Sequence, residues 1–180
     1  MGRSVTRRAG WVAPLVAAYF ALAACHTQPD AVAVKWLRQD CRVGGAGPIE
    51  SELHAAGAAA ETTLLLAYAG GSGVLGDRVA AEARRSYDEV IAALSAGRTH
   101  GLSQNEITEF RSRSREAHAA DARLDFDVGY RRAALSGLAV IKGPRGIALL
   151  RRVALDAHSS DRTTAQKALA RAGIALAPPP

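Results

Sequence analysis

His118, Asp121 and Asp125 stand at i, i+3 and i+7, so on a helix they share a face and offer one imidazole and two carboxylates to a cation. Arg115, Arg123, Arg131 and Arg132 lie in the same stretch and compete for those carboxylates. The set is therefore a weak metal candidate, set against the more ordinary reading of a solvated charged face. His26, His54, His100 and His158 have no Cys, His or carboxylate at ligand spacing. Gly70-Gly71-Ser72-Gly73 lacks the Lys and the Ser or Thr that complete a phosphate loop, and no strand precedes it. There is no G-x-S-x-G setting for a serine nucleophile. No catalytic residue and no cofactor is expected. Glu109 with Arg113, and Asp127 with Arg131, are spaced as i,i+4 ion pairs.

A second chemical feature is a thiol in an unusual place. Arg3, Arg7 and Arg8 open the chain, and Trp11 to Ala24 follows as 14 residues without a charge. That run is too short to cross roughly 30 Å of hydrocarbon as a permanent helix, but it suits a cleaved export leader. It ends in Leu22-Ala23-Ala24-Cys25, which resembles the bacterial lipobox at all four positions. The resemblance implies a diacylglyceryl thioether on Cys25, cleavage after Ala24, and N-acylation of the new terminus in many bacteria. Two or three chains anchor stably where one is marginal. His26 in place of an aspartate implies, by the same resemblance, an outer-membrane address in an organism that has one. An N-myristoylation pattern (Met1-Gly2 with Thr6) and a twin-arginine pattern (Thr6-Arg7-Arg8) compete in the same stretch. The localisation expected is a cell membrane or outer membrane, with the domain lipid-anchored on the periplasmic or extracellular side. Cys41 is then the one free thiol, expected partly buried beside Trp36 and Leu37, with an intermolecular disulfide as the alternative.

The charge reads differently once the leader is set aside. The chain carries a formal +6, but without Arg3, Arg7 and Arg8 there are 20 basic against 17 acidic residues, a balance of +3. Those charges alternate in pairs, and aromatics are only 5% of the chain. A nucleic-acid groove needs clustered Lys and Arg with stacking partners, so none is expected.

The elements that must position these residues are helices. Apolar content is 48%, mainly Ala, Leu and Val, punctuated by glycine. A short helix is predicted over 31–42, followed by a break at Gly44 to Gly47 with Pro48 opening the next, over 49–69. Another is predicted over 75–96, stopped by Gly97. Ser103 and Glu106 form a capping box that opens a helix running to Lys142, continuous or bent near Gly129. Gly143-Pro144 is a stop and a start. Helices over 146–157 and 162–176 complete an all-α domain without β-sheet, the last capped by Ser159, Ser160 or Asp161. The organisation predicted is a signal peptide at 1–24, a lipidated tether and short helix at 25–47, a helical domain at 48–177 and a proline tail at 178–180.

A 31-residue shift places Arg131–Ala139 over Arg162–Ala170, in the shared form R-x-x-A-x-x-small-L-A. Over about 127–175 this resembles the second helices of HEAT-type repeats, which implies stacked helical hairpins and a surface used for recognition. The second copy departs from that pattern at His158 and Asp161. The function expected is a non-enzymatic envelope scaffold that binds another protein, with Arg131 and Arg132 as partner-binding candidates. A helical bundle binding a small ligand or metal ion is the alternative, and an enzyme of unknown chemistry the third.

Overall fold

The computed structural model describes residues 30–39, 47–99 and 101–176, and every regular element among them is an α-helix. In chain order they are α1 (Ala31–Gln39), α2 (Gly47–Gly70), α3 (Val74–Ser95), α4 (Gln104–Ser112), α5 (Arg115–Ile141), α6 (Pro144–Leu155) and α7 (Arg162–Arg171). The all-α expectation holds, with packed helices and no strand among the described residues. The leader, Ala24, Cys25, His26, Cys41, His100 and the proline tail lie outside the described residues.

α5 is the central element. It packs along α2 and α3 and also meets α1, α6 and α7. At 1.5 Å per residue its 27 residues span about 40 Å. The C-terminal half lies in the main apolar cluster, where Leu37, Leu53, Leu64, Leu135, Leu138, Leu150 and Leu169 are fully buried. Each such leucine contributes on the order of 2 kcal/mol through removal from water. Close approach is built in at Gly137: a Cβ there would come within 2.7 Å of Leu64 and 2.8 Å of the Trp36 indole nitrogen. Trp36 is thereby seated on α5, and its Nε1 donates to the Ala133 carbonyl at 2.8 Å.

No residue of that cluster lies between Tyr68 and Tyr130, among the described residues. This stretch forms an arm in which α3 runs antiparallel to the first half of α5, with α4 at its tip. Small residues (Ala80, Ala93, Ala119) and Leu94 and Ile107 fill its thin interior. Its edges are ion pairs: Asp77 with Arg123 at 2.7 Å, Arg84 with Glu116 at 2.8 Å and Asp88 with Arg115 at 2.9 Å. Each is exposed to water, so screening keeps its individual contribution small.

Two boundaries among the described residues differ from the sequence expectation by more than two residues, and one helix interior differs as well, each for a local reason. The predicted helix from Ser103 to Lys142 is two helices. Ser114 accepts from the Ala117 amide at 3.1 Å and starts α5 afresh after extended Arg113, while Gly129 stays inside α5. The last helix ends at Arg171 rather than near Leu176. Gly173 donates to Ala170 and Ile174 to Leu169, both at 3.0 Å, which closes a Schellman turn. α2 carries a kink at Gly57, whose φ of 55° and ψ of −127° are outside helical values.

Candidate functional site

The residues with sequence-predicted chemistry are not brought together. His118 lies in an aromatic cluster on the arm, 5.9 Å from the Tyr87 ring centroid and 5.6 Å from that of Phe110. Asp121 is ion-paired with Arg113, and Asp125 is exposed. Among the described residues no three His, Cys, Asp or Glu side chains gather so as to hold a metal ion. The two expected i,i+4 pairs are replaced by longer-range ones. Arg113 takes Asp121 rather than Glu109, and Arg131 takes Asp161 at 3.3 Å rather than Asp127. Arg131 is therefore half-buried and tied to the start of α7, while Arg132 is exposed.

Asp127 has a different task. Its carboxylate accepts from both the amide and the hydroxyl of Ser72, the amide at 3.0 Å. The glycine-rich segment Gly70–Gly73 is thus a tight turn between α2 and α3, clamped onto α5. Hydrogen bonds from Ser72 stabilise the charged form and hold the Asp127 carboxyl below the usual aspartate range, with Arg123 and Arg131 adding to the effect.

Chemistry-bearing side chains do converge at the other end of the molecule. A groove of about 650 Å³ runs between the start of α2, the end of α5 and α7. Its floor is Ala139, Val140, Ala168 and Ala172, and its rim carries Lys142, Lys167 and Arg171. Arg171 is engaged by Glu50, whereas Lys142 and Lys167 pair with no acid among the described residues. His54 lies at its edge, with Nδ1 3.1 Å from the Val140 carbonyl. Lys142 holds φ at 58°, the one positive value outside glycine among the described residues. Its left-handed backbone ends α5 at a cost of about 1 kcal/mol that glycine would not incur.

A second groove, about 670 Å³, separates α2 from α6 and is lined by Leu65, Tyr68, Ala69, Leu149, Arg145 and Arg152. Beside it, buried Glu61 serves as the cap that α6 does not supply itself. Gly143 has no side chain to offer, and Glu61 accepts from the Gly146 amide at 2.7 Å and from Arg145 Nε at 3.3 Å. Any Cβ at Gly143 would overlap that carboxylate. Burial raises the Tyr68 phenol above its ordinary range, helped by the negative charge of nearby Asp161.

The even alternation of charges seen along the chain dissolves once it is divided by fold. Residues 74–132, the arm, contain ten basic and ten acidic side chains. Residues 133–176 contain seven basic side chains against Asp156 and Asp161, a balance of +5, and Asp161 is buried against Arg131. Both grooves open on this basic part. Sequence reasoning missed Lys142, Lys167, Arg145 and Glu61. A count of charge by segment was the signal available for the first three, while nothing in the local sequence marks Glu61 as the cap of a helix 85 residues away.

No protein-family model, curated protein or solved structure matches the chain. No helix among the described residues is long and apolar enough to cross a membrane.

Proposed function

We propose that the chain is an envelope lipoprotein, anchored through an acylated Cys25, whose helical domain is a non-enzymatic scaffold for another protein. The observation that carries this reading is the arm. Of residues 74–132 only Tyr130 packs against the main apolar cluster, yet the stretch holds an ordered, charge-neutral helical surface. Val74 and Leu124 are 68% and 60% exposed there, the kind of isolated apolar contact that a protein partner covers. HEAT-type stacking belongs to the same proposal. The two copies, offset by 31 residues, bury matching positions, Ala134 with Ala165 and Leu138 with Leu169, and both lie against α6.

The test is a photocrosslinking residue at Leu124 in the native envelope. One recurrent partner, lost on Val74→Glu with unchanged thermal unfolding, supports the scaffold. Capture of nothing from the arm under several growth conditions overturns it. Anchoring is tested by Cys25→Ala, which should remove the acyl mass and the protein from the membrane pellet. The groove beside Lys142 and Lys167 favours a second reading, a bundle that binds a small anionic ligand.

A further inference from the structure

We infer that the face made by α6, α7 and the end of α5 lies against an anionic phospholipid surface, with Lys142, Arg152 and Lys167 meeting lipid phosphates. The inference deepens the anchoring reading and rests on it. Its first support is charge complementarity. The +5 of residues 133–176 is gathered in one part of the fold, and α6 contains three arginines and no acid. Basic side chains near an anionic bilayer are attracted individually, and the attraction dies away within a Debye length of about 8–10 Å. Such a face must therefore be held close to the membrane to act.

The tether supplies that closeness. The Asp30 amide donates to Thr63 Oγ1 at 2.9 Å, and Asp30 Oδ1 caps α1 by accepting from the Ala33 amide at 2.9 Å. The chain that leads to Cys25 is thus fixed on α2 at Thr63. The neighbouring Thr62 hydroxyl accepts from Arg145 Nη2 at 2.7 Å, so the docking point of the tether and the basic face meet at adjacent residues. From Asp30 to Cys25 is five residues, which reach at most about 18 Å when extended. A lipid on Cys25 therefore keeps the bilayer within about that distance of Thr63.

The relief of the face also suits an interface. Each groove has an apolar floor and a cationic rim, the order in which acyl chain and phosphate follow one another in a phospholipid. Leu66 and Leu155 stand exposed on α2 and α6, able to enter the headgroup layer. Lys142 completes the pattern: a lysine occupies a left-handed position that glycine would take more cheaply, and its ammonium lines a groove as a result.

The chain contains only three lysines, which makes the proposal directly measurable. Full-length protein purified from a lipoprotein-processing bacterium is reconstituted into vesicles of phosphatidylcholine, alone or with about a third phosphatidylglycerol. An amine-reactive label is then quantified at each lysine by mass spectrometry. Labelling of Lys142 and Lys167 is expected to fall roughly five-fold on the anionic vesicles, while Lys35, paired with Glu52, is unchanged. High salt should restore it, and so should Arg152→Glu. Equal labelling of Lys142 and Lys167 on the two vesicle types overturns the inference, as does protection of Lys35 to the same degree or protection that survives high salt. The same spectra report the Cys25 peptide. If it is unacylated, the anchor fails and the inference with it; if it is acylated and the lysines are unprotected, the inference fails alone.

Discussion

The arm and the body of this molecule are built from the same residue types but held by different physics. The body is closed mainly by buried leucines around Trp36, and two of its ion pairs, Arg131–Asp161 and Arg145–Glu61, have a buried acid. The arm has little to bury, so pairs such as Asp77–Arg123 and Asp88–Arg115 align its helices instead. Exposed pairs set register more than they set stability. The two halves of α5 belong one to each regime, which makes this helix the joint through which the arm is supported.

The largest effect should come from the body. Leu138→Ala removes a fully buried side chain that also touches Gly146, and should lower unfolding free energy by about 2–5 kcal/mol in denaturant titration. A cost below about 1 kcal/mol would mean the core is not where the packing places it. Glu61→Ala is next. It leaves the Gly146 amide buried without its acceptor, and a loss of about 1–3 kcal/mol is expected, with amide exchange fastest in the first turn of α6. Exchange that rises evenly over all helices would break the assignment of Glu61 as a local cap.

The junction between the two regions has its own signature. Asp127 has a folded pKa below its unfolded value, so its contribution is complete above the unfolded pKa near 4 and is lost as pH falls through the folded one. Acid unfolding should therefore include an Asp127 component confined to pH below about 4, which Asp127→Asn abolishes. The smallest effect is reserved for the arm. High salt should raise amide exchange in α3 and the first half of α5 more than in α2 and α6, because the arm has exposed pairs and little buried apolar surface beside them. Equal change in both regions would erase the distinction.

Local signals were readable in the sequence and distant ones were not. The Ser103–Glu106 capping box forms as the spacing predicts, with Ser103 N donating to Glu106 Oε2 at 2.8 Å. Gly97 ends α3 through the bond from Arg98 to Ala93 at 2.9 Å. These features are decided within four or five residues. Ser114 was legible in principle, but an unbroken apolar periodicity from Ile107 to Leu138 outweighed a single capping serine. The partner of Arg131 was not legible, because an i,i+4 aspartate lies nearer in sequence while Asp161 lies nearer in space. The metal candidate on His118, Asp121 and Asp125 shows the same limit. Helical spacing puts the three on one face, but Arg113 engages Asp121 and the Tyr87–Phe110 stack engages His118, both from other parts of the arm, and Asp125 is left exposed.

The bond from Trp36 to Ala133 bears on the order in which the molecule can assemble. It joins residues 97 apart, and the Glu61–Gly146 bond joins residues 85 apart, so the body can close only after nearly the whole chain is present. The arm needs less of the chain, since its α3–α5 ion pairs join residues about 27 to 46 apart. Loop-closure entropy rises with separation, and contacts of low order form first. The pairs α3 with α5 and α6 with α7 can therefore form before the bond from Trp36 to Ala133 seats α1 on α5.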